Sequence, residues 1–170
     1  MKLIYSLLFL ITISTSVTAN EKQTAQSSLE RLAKSLQTLN FSTSFVVVKN
    51  NQAEPYHWFH GVNEAGEELE ILSLLNGPRR DILRKNNIVS YIEPELAPYS
   101  VASKQISGPI PAVLRTHPTQ LEKTYDFISV GRSRVLGRAA QLIRIISKDA
   151  DRYAHWLWLD QKTGMLLKIA

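Results

Sequence analysis

The 170-residue chain contains no cysteine, so neither a disulfide framework, a thiolate metal site nor a cysteine nucleophile is possible, and no lipid can be attached through a cysteine. Glycine and proline number only 7 each, too few for a fibrous or low-complexity chain. Long apolar runs are missing beyond the first 13 residues, which leaves no stretch of about 20 apolar residues to span a bilayer as a helix. Acidic residues are in the minority, 15 against 20 basic ones, for a formal charge of +5. That excess favours anionic partners without naming one.

The exception at the N-terminus has its own meaning. Lys2 precedes an apolar run from Leu3 to Ile13, and Val17-Thr18-Ala19 follows with small residues at the positions read by a signal peptidase. Cleavage between Ala19 and Asn20 is expected, with residues 1–19 as the leader and 20–170 as one exported domain. An exported protein is a poor candidate for nucleic-acid binding. Without disulfides, this domain must hold together by its core alone, which a chain 44% apolar can do.

Leu29, Leu32, Leu36 and Leu39 recur at spacings of three and four and predict an amphipathic helix over Ser27–Leu39, capped by Ser27 or Ser28. From Asn40 the pattern turns to short β-branched and aromatic segments. Strands are expected at 41–49, 55–62, 67–74, 79–84 and 88–92, joined by Asn50-Asn51, Glu64-Ala65-Gly66, Asn76-Gly77-Pro78 and Asn86-Asn87. Pro94, Pro98, Pro109, Pro111 and Pro118 then interrupt the pattern for about 25 residues, a solvated excursion or a functional loop. Strands resume at 124–130, 139–148, 152–159 and 165–169, with Asp160–Gly164 as a hairpin turn. The fold class is α+β, mainly β: antiparallel strands over one or more helices.

Period-two alternation puts Trp156 and Trp158 on one face and Tyr153, His155, Leu157 and Leu159 on the other, so both faces of that strand are apolar. The same holds for Leu69 and Ile71 against Leu72 and Leu74, and for Ile143 and Ile145 against Leu142 and Ile146. Either another domain covers the surplus, or the sheet curves round an apolar cavity able to hold a lipid chain.

Catalytic patterns are weak. His57 and His60 look like a metal pair, but residues three apart on a strand point to opposite faces. Gly131–Arg138 has a superficial likeness to a phosphate-binding loop, with the wrong glycine spacing and no Lys-Ser/Thr. No G-x-S-x-G elbow occurs. Glu67, Glu68 and Glu70 are expected to alternate faces and stand in solvent. No catalytic residue, metal or cofactor is assigned. The arginines are more suggestive: Arg79, Arg80, Arg84 and Lys85 form one group, Arg132, Arg134, Arg138 and Arg144 another. Guanidinium forks match phosphate and carboxylate, so an anionic headgroup or acidic segment is the sharper reading and a solvated, edge-protecting face the plainer one.

Several of these segments together carry a resemblance. Tyr125-Asp-Phe-Ile-Ser-Val-Gly-Arg-Ser-Arg-Val135, Arg138, Leu142-Ile-Arg-Ile-Ile146, Arg152-Tyr153, Trp158-Leu-Asp160, Asn76-Gly-Pro-Arg-Arg80 and Gly108-Pro-Ile-Pro111 resemble the RseB/MucB family. The resemblance implies a periplasmic negative regulator of the sigma-E envelope stress response. Its expected partner is the periplasmic domain of a membrane-spanning anti-sigma factor (RseA/MucA-like), which it shields from proteolysis. It also implies an N-terminal domain like the lipoprotein carriers LolA and LolB, an open half-barrel sensing lipid or lipopolysaccharide. Family members continue into a smaller C-terminal domain that this chain is expected to lack. On this reading Arg79, Arg80 and Arg84 are candidate headgroup contacts. Trp156 and Trp158 are candidates for an apolar wall, with core packing the alternative role for at least one of them. A periplasmic lipoprotein or lipid carrier is the competing reading, and an unrecognised hydrolase the third.

Overall fold

Antiparallel strands dominate the computed structural model, which describes residues 15–106 and 108–170, with side chains of the first helix at residue 22 and from residue 24 onward. The described residues gather into two compact units, one within residues 38–111 and one of residues 15–37 with 112–170. The apolar leader segment Leu3–Ile13 lies outside the described residues. Ala19 and Asn20 belong to the helical backbone of α1 (Thr15–Thr38).

Residues 38–111 form a six-stranded meander: β1 (Phe41–Lys49), β2 (Gln52–Val62), β3 (Glu68–Leu74), β4 (Asp81–Lys85), β5 (Ile88–Ile92) and β6 (Tyr99–Ala102), paired strictly in chain order. The turns explain the register. Asn50 and Asn51 both take positive φ, 50° and 61°, the backbone of a two-residue hairpin whose twist matches that of its strands. Lys49 therefore pairs with Gln52, and every residue beyond is fixed back to Phe41 opposite His60.

On the inner face the register sets Trp58, Leu72, Ile82 and Tyr91 side by side, and beside them His60, Glu70, Arg84 and Val89. Leu72 and Val89 are fully buried. The expected solvated excursion holds for the exposed first half of the proline-rich segment, but around Ile106 and Gly108–Ile110 the chain folds back over this face. Ile106 and Ile110 are buried, and a Cβ on Gly108 would come within 3.0 Å of Leu72 Cδ2, so glycine permits the close approach. The strand pattern also does not stop at Glu93. β6 pairs with β5 at the sheet edge through Ser90–Ser100 and the stacked Tyr91–Tyr99 rings. Its four residues, all exposed and closely following Pro98, are too short a run to announce a strand.

The other unit holds α1, a 3₁₀ turn (Ala112–Leu114), the short α2 (Pro118–Leu121) and a four-stranded sheet in the order β10 (Leu166–Ile169), β9 (His155–Asp160), β8 (Arg138–Ser147) and β7 (Tyr125–Val135). Phe127, Ile143, Ile145, Leu157 and Leu159 are buried on one face of this sheet. The Gly131–Arg138 segment is the bulged end of β7, with a register shift between Ser129 and Gly131, followed by a tight turn at Leu136-Gly137.

Helix α1 buries Ala25, Leu29, Leu32 and Ser35, while Leu39 is exposed beyond its end. The expected stripe is thus correct at Leu29 and Leu32 and rotated at its C-terminal end. Ser35 replaces an apolar contact by donating its hydroxyl to Thr163 O at 2.7 Å. Ser27 and Ser28 do not cap the helix. They lie inside it and donate to Thr24 O.

Candidate functional site

Among the sequence candidates, Arg84 has the most determined surroundings. It projects from β4 onto the inner face, its side chain only 7% exposed, with Nε donating to Glu70 and Nη1 to Glu68, both at 2.5 Å. Nη1 also donates to Asn86 O. Burial works against its charge, but the two carboxylates outweigh it and raise the guanidinium's pKa further. The expectation that Glu68 and Glu70 alternate into solvent is therefore corrected. Two residues apart on a strand, they share a face, and the register places Arg84 between them. Only Glu67 stands in solvent.

Arg79 and Arg80 precede β4 and differ from Arg84. Arg79 is 83% exposed with Nε on Asp81 at 2.6 Å, and Arg80 is 60% exposed at 3.9 Å from Glu93. Both keep donors free for an external anion. The structure places all three arginines within six residues of chain but gives only two an open aspect.

Trp156 and Trp158 lie on the sheet face opposite Leu157 and Leu159, half-buried, and each carries a cation. Arg144 stands 5.0 Å over the Trp156 ring and Lys168 4.6 Å over that of Trp158. Such pairs contribute about 0.5–2 kcal/mol each. Leu142 pairs with Trp158 on the same face, and Ile128 and Val130 near it are exposed. Tyr153, expected on the opposite face of β9, lies outside the strand and in solvent. The six-stranded sheet likewise carries an apolar outer face, with Val46, Phe59, Ile88 and Ile92 exposed.

His57 and His60 occupy opposite faces of β2. His57 meets Ser42 and Ser44, whereas His60 is buried with Nδ1 at 2.7 Å from Leu39 O. Among the described residues no His, Asp and Glu cluster is arranged to hold a metal, and no helix is long and apolar enough to cross a membrane.

Sequence reasoning did not assemble one further feature, an open polar cleft of about 270 Å³ lined by Ser28, Arg31, Arg132, Gln141, Asp160, Gln161 and Gly164. Arg31 Nη2 donates to Gln161 O and Lys162 O at 2.9 and 2.6 Å, tying α1 to the β9–β10 turn. Gln141 donates to Ser129 Oγ and Gly131 O, both at 2.9 Å, across the β7 bulge. Asp160 accepts from Arg138 Nη2 and from the backbone and hydroxyl of Thr163. Burial raises its pKa, but these donors prevail and hold the carboxyl at about 2.

A family model describing the MucB/RseB N-terminal domain matches residues 24–170. The chain belongs to the MucB/RseB family. The sigma-E factor regulatory protein RseB of Haemophilus influenzae is 30% identical over 164 residues, covering 96% of this chain and 52% of the relative. The sigma factor AlgU regulatory protein MucB of Pseudomonas aeruginosa is 32% identical over 163 residues, covering 96% of this chain and 50% of the relative. In the solved complex of Pseudomonas aeruginosa MucA and MucB, the matching chain superposes with a TM-score of 0.68 at 29% identity over 86% of this chain and 50% of that one. The chain spans about half the length of the curated relatives it matches. The family is one of regulatory proteins, not of enzymes.

Proposed function

We propose that this chain is the lipid-sensing N-terminal domain, residues 20–170, of a periplasmic negative regulator of a sigma-E-type envelope stress response. In this reading the protein binds the periplasmic domain of a membrane-spanning anti-sigma factor and keeps proteases from it. Lipid or lipopolysaccharide relieves that protection. The observation that carries the reading is membership of the MucB/RseB family, together with the likeness to a MucB solved with MucA. The leader pattern of residues 1–19 supports export to the periplasm.

Lipid sensing draws support from the apolar sheet faces and from the open arginines Arg79 and Arg80. Trp156 and Trp158 supply apolar surface for an acyl chain, and Arg84 acts within its own sheet by tying β4 to β3. A lipid can release the partner only if it binds the free conformation better than the bound one.

The test is proteolysis of the purified anti-sigma periplasmic domain in the presence of this chain, or of a version extended through the family's second domain, with and without lipopolysaccharide. Protection by the extended form, relieved by lipopolysaccharide, supports the regulator. Failure of both forms to protect removes it and leaves a lipid carrier, whose mark is extraction of lipidated cargo from membranes.

A further inference from the structure

We infer that the cleft between α1 and the β7–β8–β9 sheet is an anion site for a phosphate monoester, read by Arg31 and Arg132. The inference rests on the sensing half of the proposed function only where the phosphate belongs to a lipid.

Charge comes first. The cleft is lined by two arginines and one carboxylate. The carboxylate, Asp160, is already matched by Arg138 at 2.5 Å and by Thr163 Oγ1 at 2.7 Å. Among the described residues neither Arg31 nor Arg132 has an ion-pair partner, because Arg31 meets only the carbonyls of Gln161 and Lys162. Two guanidinium charges therefore face the cleft unmatched. A phosphate monoester carries about −1.5 to −2 at neutral pH and offers three acceptor oxygens, whereas a single carboxylate would leave one arginine unanswered.

Preorganisation comes second. Arg31 is pinned by its two carbonyl bonds, and its side chain packs on Gly164, where a Cβ would lie 2.8 Å from Arg31 Cγ. The guanidinium is thus fixed before any ligand arrives, with both Nη2 hydrogens spent on the carbonyls and Nε and Nη1 left as donors, which lowers the ordering cost of binding. Arg132 is exposed on edge strand β7 and supplies the bidentate fork. Ser28 adds a hydroxyl to the rim.

Size and lining come third. About 270 Å³, bordered by polar side chains and a glycine, suits a phosphate with a small substituent. A lipid would place only its headgroup here.

The test is calorimetric titration of the chain with methyl phosphate, and sedimentation with phosphatidylcholine vesicles with or without phosphatidic acid. Arg132→Gln is the informative variant, since that side chain is exposed and its loss disturbs no internal bond. Arg134→Gln, two residues along the same edge, removes the same charge outside the cleft. Binding of methyl phosphate that falls at least about tenfold in Arg132→Gln and less than about twofold in Arg134→Gln supports the site with a soluble source. The same pattern confined to phosphatidic acid vesicles supports it with a lipid source. Equal losses in the two variants, or no Arg132-dependent binding to either probe, overturn it. None of these outcomes depends on protection of the anti-sigma segment, so the two readings fail separately.

Discussion

Arg84 Nε and Glu70 Oε2 are 2.5 Å apart on the inner face of the six-stranded sheet, and both side chains are buried. A pair of this kind adds little to stability over a well-packed apolar pair, yet breaking one side of it is costly, because the survivor keeps its charge in a poor solvent. Arg84→Met leaves Glu70 without its donor. The expected loss is about 3–5 kcal/mol by urea denaturation. The double variant Arg84→Met/Glu70→Leu should recover much of that, and a double variant no more stable than Arg84→Met would show that the arginine acts otherwise than through Glu70.

The carboxyl of Asp160 sits at about 2, below its ordinary 3.8, because the donors Arg138 and Thr163 outweigh the cost of burial. Its folded-state pKa lies below the unfolded one, so its contribution is complete above about pH 4 and disappears as pH falls towards 2. Between these limits the unfolded chain binds the extra proton. Asp160→Asn should lower stability near neutrality by roughly 2 kcal/mol, the worth of a charge-assisted hydrogen bond. The difference from wild type should shrink through the same acid window, and a constant difference from pH 6 to 2 would assign the effect to packing instead.

His155 titrates in a milder range. Burial lowers its pKa from 6.5, so the native state resists a proton that the unfolded chain accepts. Stability should therefore decline as pH drops below about 6.5, with the opposite residue on β8, Ile145, fully buried and unable to pair with a charge. His155→Leu should remove that slope while leaving the Asp160 transition in place. An unchanged slope between pH 7 and 5 would locate the proton elsewhere.

What the sequence disclosed follows the range of each signal. Hairpin turns are local, and Asn50-Asn51 and Asn86 adopt the positive φ that their types allow, which fixed most strand positions in advance. Trp156 and Trp158 on one face, against Leu157 and Leu159 on the other, needed only the period of two. Arg84 between Glu68 and Glu70 was not legible, because the register across β3 and β4 depends on the irregular connection through Gly77 and Pro78, which has no fixed offset. The Arg31–Arg132 cleft lay further beyond reach. It needs a helix near one end of the chain to settle against a hairpin near the other, and each arginine alone looks like a solvated charge.

That settling is tightest at Gly164, the last residue of the β9–β10 turn, where φ is +77° and an added Cβ would lie 2.8 Å from Arg31 Cγ and 3.1 Å from Ser35 Oγ. Two penalties coincide there. An L-residue resists the left-handed backbone, and the side chains that would have to move are the ones bonded to Gln161 O, Lys162 O and Thr163 O. Gly164→Ala should therefore cost roughly 1–3 kcal/mol and loosen the last turns of α1, seen as faster amide exchange around residues 31–35. Gly66→Ala separates the two causes, since Gly66 has the same φ of +77° with open space around it. It should show the backbone penalty alone, with α1 exchange unchanged, and equal exchange in the two variants would mean that Gly164 does not seat the helix.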